Sequence, residues 1–278
     1  MANITATDVN KLRQITGAGM MDCKKALVES DGDFEKAIDY LRKKGQKVAN
    51  NRSDRAANDG LVLAKTSPDG KKAIIVLISC ETDFVAKSAD FTKFSNDVAD
   101  FAILNTPKTV EELRAANLNG RTVAENLTDL IGKIGEKMEV ASYEVIEAAK
   151  TFAYNHPGNR LGTIVGFNKD NVANIDQIGK EIAMQIAAMN PVAVDKGDVN
   201  QKTIDREIEI GKEQARQEGK PEDMLEKIAL GKLNKFFKER TLLNQEFVRD
   251  TKKTVGQYLT EADKELKVTT FNRLMLGA

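Results

Sequence analysis

The sequence predicts an α+β fold: a three-helix N-terminal unit, two related α+β subdomains built on antiparallel sheets, and an inserted helical hairpin. Three observations carry this. Apolar residues in the first 54 positions recur at helical spacing between glycine breaks. Two β-rich hairpins, each with a Pro/Gly turn, are each followed by a helix that runs into Asn-Thr-Pro or Asn-Pro, at Asn105-Thr106-Pro107 and Asn190-Pro191. The two copies lie about 90 residues apart and read as an internal duplication. Between Asp195 and Arg240 charges of both signs interleave almost continuously. A chain of 278 residues suits roughly two domains. The boundaries that follow are 1–54 for the three-helix unit, 55–148 for the first subdomain, 149–194 with 241–278 for the second, and 195–240 for the hairpin.

In the first unit, Thr5 or Thr7 caps a helix carrying Val9, Leu12 and Ile15, and Thr16-Gly17-Ala18-Gly19 breaks it. Met20 to Glu29 forms a second helix, stopped at Ser30-Asp31-Gly32. Asp31 or Asp33 caps a third, Phe34 to Lys44, which buries Phe34, Ala37, Ile38 and Leu41. The polar, basic stretch Lys43 to Arg55 reads as a linker.

Strands at Leu61–Lys65 and Ala73–Ser79 flank Ser67-Pro68-Asp69-Gly70, where Pro presets φ and Gly accepts a positive one. The second run is apolar on both faces, as a buried central strand requires. Helices follow at Ser88–Leu104, Thr109–Ala116 and Val123–Ile134, then a strand at Met138–Ile146. The second copy has strands at Phe152–Asn155 and Leu161–Phe167 around His156-Pro157-Gly158-Asn159, then a helix at Ile175–Met189. Pro221 splits the charged segment into two helices, with Ile204, Ile208, Gly211 and Ala215 facing Leu225, Ile228 and Ala229 in a thin stripe. Phe247-Val248, a helix at Thr254–Leu259 and a strand at Thr269–Leu276 complete the second subdomain.

Composition removes several function classes. One histidine cannot build a His-x-x-x-His zinc helix, and two widely spaced cysteines cannot build a structural zinc cluster. No metal, cofactor or catalytic residue is expected. A phosphate loop is absent and Gly17-Ala18-Gly19 lacks the third glycine of a dinucleotide fingerprint, so no direct nucleotide binding is expected. The balance of 42 Lys+Arg against 42 Asp+Glu argues against affinity for nucleic acid. Only the basic stretch Lys43 to Arg55 supports an RNA-bound role, and a hydrolase around His156 lacks a local nucleophile. No spanning segment or secretory signal is visible, and the cysteine usage fits a reducing cytoplasm.

What remains is a protein that acts by binding, and four stretches stand out. Thr82-Asp83-Phe84-Val85 leaves a buried strand. Pattern favours Phe84 stapling the next helix to the sheet with Asp83 as its cap, and the competing reading is a presented aromatic wedge. Met20 and Met21 are adjacent and cannot share one helix face, so an outward, adaptable binding surface stands beside a core role for Met21. Ile134-Gly135 ends a helix, with Gly135 first of all a C-cap. His156 sits in a hairpin turn as exposed polar surface.

Thr16-Gly17-Ala18-Gly19-Met20-Met21-Asp22-Cys23-Lys24-Lys25-Ala26-Leu27 and Glu81-Thr82-Asp83-Phe84-Val85-Ala86-Lys87 resemble the two signature segments of the bacterial elongation factor Ts family. His156-x-Gly158-x-Arg160-x-Gly162, Lys253-Thr254-Val255-Gly256-Gln257 and Gly219-Lys220-Pro221 are similar to that family as well. The resemblance implies a guanine-nucleotide exchange factor for the GTPase elongation factor Tu, which breaks no bond and is not an enzyme in the chemical sense. It implies an N-terminal domain similar to ubiquitin-associated domains, a duplicated α+β core and an inserted coiled-coil hairpin. It further implies that Thr82, Asp83, Phe84 and Val85 dislodge Mg²⁺ from the partner. Met20 and Met21 would grip the GTPase domain, Ile134 and Gly135 would contact it near the nucleotide, and His156 would meet another domain. Some members carry a further C-terminal helical module, whereas this sequence stops at Gly277-Ala278. Whether the hairpin meets the partner or a second copy stays open, and with it self-association.

Overall fold

The computed structural model describes residues 4–277. Thr5 caps α1 (Ala6–Thr16) through a capping box with Asp8, and Gly17, at φ +67°, ends it. α2 (Met20–Glu29) starts directly after Gly19. Asp33 then accepts the Lys36 N–H at 3.1 Å and caps α3 (Phe34–Asn51). Val9, Leu12, Cys23, Ala26, Leu27 and Ala37 form the small core of this unit.

The basic stretch is not a linker before Asn51, because α3 continues through it. Gly45, Val48 and Ala49 recur at helical spacing and lie against the first subdomain, with Val48 and Ala49 on its core, while Leu41 packs on the core of the N-terminal unit. The crossing partner is α7 (Val123–Ile134), and the approach is a glycine contact. A Cβ on Gly132 would fall 2.9 Å from Gly45 Cα, and one on Gly45 would fall 3.1 Å from Thr128 O. Small residues mark the contact, so a hydropathy reading passes over it.

The first subdomain runs β1 (Asp59–Thr66), β2 (Lys72–Cys80), α4 (Asp83–Ala86), α5 (Ala89–Asn105) and α6 (Val110–Ala115), then a short hairpin of β3 (Asn117–Leu118) and β4 (Arg121–Thr122), then α7 and β5 (Met138–Glu147). Its antiparallel sheet has the order β1-β2-β5. The second subdomain runs β6 (Lys150–Asn155), β7 (Leu161–Phe167) and α8 (Ile175–Met189). The inserted helices α9 (Gln201–Gln217) and α10 (Glu222–Arg240) follow, then β8 (Glu246–Phe247), β9 (Asp250–Thr254), α11 (Val255–Ala262) and β10 (Val268–Met275). Here the order is β10-β7-β6, again antiparallel.

The duplication extends further than the sequence pattern indicates. Each copy is a hairpin, a long helix, a second short hairpin, a threonine-capped helix and a closing strand. Thr122-Val123 and Thr254-Val255 open the capped helices with capping boxes to Glu125 and Gln257. The long helices α5 and α8 end on Thr106 and Asn190, both left-handed at φ 44° and 45° and both before proline.

Period-two alternation explains why β2 is apolar on both sides. Ile74, Val76 and Ile78 join Phe91 and Val98 under the helices, while Ala73 and Ile75 face Ile164 and Leu276 of the other subdomain. The sheets thus pack face to face with helices outside. Edge strand β1 is closed by the second hairpin. Asn155 Nδ2 donates to Ala64 O at 2.9 Å, Oδ1 accepts the Ala64 N–H at 2.7 Å, and Asn159 O accepts the Val62 N–H at 2.7 Å. In the inserted hairpin Gly211 lies on Ala229, with Ala215, Leu225 and Leu233 buried and Ile204 and Ile208 half-buried. No described helix is long and apolar enough to cross a membrane.

Candidate partner-binding site

β2 ends at Cys80, and the chain turns at once into the four-residue α4. Thr82 is its N-cap, with Oγ1 accepting the Val85 N–H at 3.4 Å. So short a helix buries one side only: Val85 and Ala86 face the core, and Asp83 and Phe84 face water. Phe84 is 83% exposed, so it does not staple α5 to the sheet. Asp83 caps nothing either. Ser88 caps α5, and the Asp83 carboxylate pairs with Lys87 Nζ at 2.7 Å, which holds it below the usual carboxylate range. Beneath the turn, the Cys80 thiol donates to Thr82 O at 3.2 Å. Its pKa is pushed up to about 12, chiefly by burial, with Glu136 and Asp59 adding to it, so this thiol is inert.

The turn is tied to the end of α7. Glu136 accepts from Thr82 N at 3.1 Å and from Thr82 Oγ1 at 2.9 Å. Just before it, Gly135 sits at φ +82° as the helix cap and Ile134 lies half-buried on the core. Gly17 lies over Lys133, where a Cβ would fall 3.1 Å from Nζ. The Gly17-Ala18-Gly19 loop leads directly into Met20 and Met21, which are 57% and 73% exposed. Both methionines therefore point outward. Three of the four candidate stretches thus gather around the last turn of α7. A cavity of about 270 Å³ lies in this seam, lined by apolar Ile15, Ile38 and Leu41 and by the Asp22–Lys44 and Asp129–Arg121 ion pairs.

His156 stands apart on the second hairpin, exposed, with Nδ1 3.0 Å from the Tyr154 hydroxyl. Its turn nevertheless reaches the same end of the first sheet. Arg160 pairs with Asp59, which stands opposite Cys80 in the β1–β2 register.

These residues offer apolar and charged recognition with no activated nucleophile among them. Glu136 escaped the sequence reading because its partner is 54 residues away, and the only local signal is its position beside a left-handed glycine cap.

The profile of the family described as "Elongation factor TS" matches residues 81–278. The chain is 53% identical to elongation factor Ts of Cytophaga hutchinsonii over 278 residues, covering all of both chains. It is 51% identical to that of Porphyromonas gingivalis over 276 residues, covering 99% of each. Against that of Chloroherpeton thalassium identity is 42% over 287 residues, covering 100% of this chain and 99% of the other. The chain belongs to the elongation factor Ts family.

Proposed function

We propose that this chain is a guanine-nucleotide exchange factor that binds elongation factor Tu·GDP, disturbs its Mg²⁺ and phosphate site, and speeds GDP release during translation elongation. Family membership supports the coarse activity, nucleotide exchange on elongation factor Tu. The single observation supporting the finer mechanism is the exposed Phe84 ring on a turn held from below. In this reading Phe84 wedges into the GTPase domain and Asp83 re-pairs polar groups near the Mg²⁺, with Thr82 and Val85 completing the segment that dislodges the ion. Met20 and Met21 grip the same domain, Ile134 and Gly135 contact it near the nucleotide, and His156 meets a second domain of the partner. Loss of Mg²⁺ weakens GDP because the phosphates are then held without the site's largest positive charge.

The energetics are those of linkage. If this chain weakens GDP binding by a factor, GDP weakens binding of this chain by the same factor. A factor of ~10⁴ needs ~5.5 kcal/mol of coupling, so the chain must favour the nucleotide-free partner by that much. The test is to measure the affinity of elongation factor Tu for GDP with and without saturating chain, and for the chain with and without saturating GDP. Equal, large reciprocal factors are expected. Both ligands bound together at undiminished affinity would overturn the reading.

A further inference from the structure

Beneath the exposed turn, two carboxylates tie the wedge to the residues that follow α7. Glu136 engages both donors of Thr82, its N–H at 3.1 Å and its hydroxyl at 2.9 Å. Thr82 O accepts from Cys80 Sγ and from the Ala86 N–H, and Oγ1 accepts from the Val85 N–H, so all the polar atoms of the cap residue are engaged. Glu81, one residue earlier, has a side chain only 17% exposed. Its Oε1 accepts from the Lys137 N–H at 2.6 Å and from Arg52 at 3.1 Å, and its Oε2 from Arg55 at 3.0 Å. Lys137 Nζ donates in turn to Ser53 O at 2.6 Å and Arg55 O at 2.8 Å. Consecutive residues 81 and 82 are thus bound to consecutive residues 136 and 137, and through Arg52 and Arg55 to the end of α3.

We propose that Glu81 and Glu136 are positioning residues for exchange, a two-carboxylate brace that fixes Phe84 relative to the α7 terminus and the N-terminal unit. The inference rests on the exchange reading above. A side chain that is 83% exposed gets no orientation from packing of its own, so its direction is set by the backbone beneath it. Hydrogen bonds to charged groups are the strong class of such contacts, and here five of them converge on the adjacent residues Glu81 and Thr82. A wedge that tilts still meets the partner but no longer spends its contact energy on the distorted state, so the maximum rate falls rather than the affinity.

The test is GDP release from elongation factor Tu as a function of chain concentration for Glu136→Ala and for the same-sized Glu81→Gln, each alone and combined with Phe84→Ala. Each alone is expected to lose about tenfold in maximum rate, the size of one hydrogen bond to a charged group, with the half-saturating concentration within about twofold. Combined with Phe84→Ala, each is expected to cost nothing further, because the brace acts through that ring. A full further loss in the Phe84→Ala background, or an effect confined to half-saturation, would overturn the brace. So would unchanged rates for both carboxylate variants beside a slow Phe84→Ala protein, and that outcome would leave the exchange reading standing. A Phe84→Ala protein as fast as the unsubstituted chain would overturn the wedge mechanism and the brace with it.

Discussion

Burying a phenylalanine ring that was open to water is worth about 1.5–3 kcal/mol. Phe84 alone therefore falls short of the ~5.5 kcal/mol that a 10⁴-fold exchange effect requires, and Asp83 must share the coupling, while Met20 and Met21 add affinity for the partner in either state. On the same grounds, truncating Met21 to alanine should weaken the complex by about 1–2 kcal/mol, seen as a higher half-saturating concentration at an unchanged maximum rate. Glu81 gives a prediction of a different kind. The Lys137 N–H, with Arg55 and Arg52, holds its carboxyl below the usual glutamate range. The unfolded chain thus binds this proton more readily than the folded one, and the resulting stability is present above the unfolded pKa of ~4.3 and is lost as pH falls through the folded value. Urea unfolding between about pH 5 and pH 3 should show stability falling more steeply in the unsubstituted chain than in Glu81→Gln. Parallel curves would remove Glu81 from the acid response. In the sequence, Phe84 was ambiguous because a staple and a wedge need the same residue at the same place, and only the length of α4 decides between them.

At the scale of elements, the crossing of α3 and α7 is the contact most open to test. Gly132→Ala gains about 1 kcal/mol of helix propensity, but its Cβ would fall 2.9 Å from Gly45 Cα, and forcing two backbones apart costs about 1–3 kcal/mol. The net expectation is a looser N-terminal unit, visible as faster amide exchange in α3 beyond Gly45 with the sheets unaffected. Unaltered protection there would contradict the crossing as described. Long periodic helices and both Pro/Gly hairpins were legible in the sequence, since each follows from local chemistry. The hairpins β3–β4 and β8–β9 were not, because two-residue pairings carry no periodicity. The end of α3 was misread as a linker for a related reason: its buried face is glycine, valine and alanine, and its abundant charge is all a composition window detects.

The whole molecule is two copies of one design packed sheet to sheet, with the N-terminal unit docked on the first copy and the hairpin inserted in the second. That docking uses the two arginines at the end of the basic stretch. Arg52 and Arg55 pair with Glu81 of the first copy, while Lys44 pairs with Asp22 inside the N-terminal unit. It also joins the N-terminal unit to the wedge. A chain beginning at Asp59 should therefore lose affinity, through Met20 and Met21, and also maximum rate, through Glu81. A loss of affinity alone would separate the two.

The central claim is that Phe84 drives nucleotide release. Rapid-mixing measurement of fluorescent GDP leaving elongation factor Tu, at saturating chain, tests it directly with Phe84→Ala. The ring is exposed and its removal leaves the core intact, so unfolding temperature and circular dichroism should not change. Release is predicted to slow by about 10- to 100-fold, the rate equivalent of ~1.5–3 kcal/mol. Release at the unsubstituted rate would contradict the account.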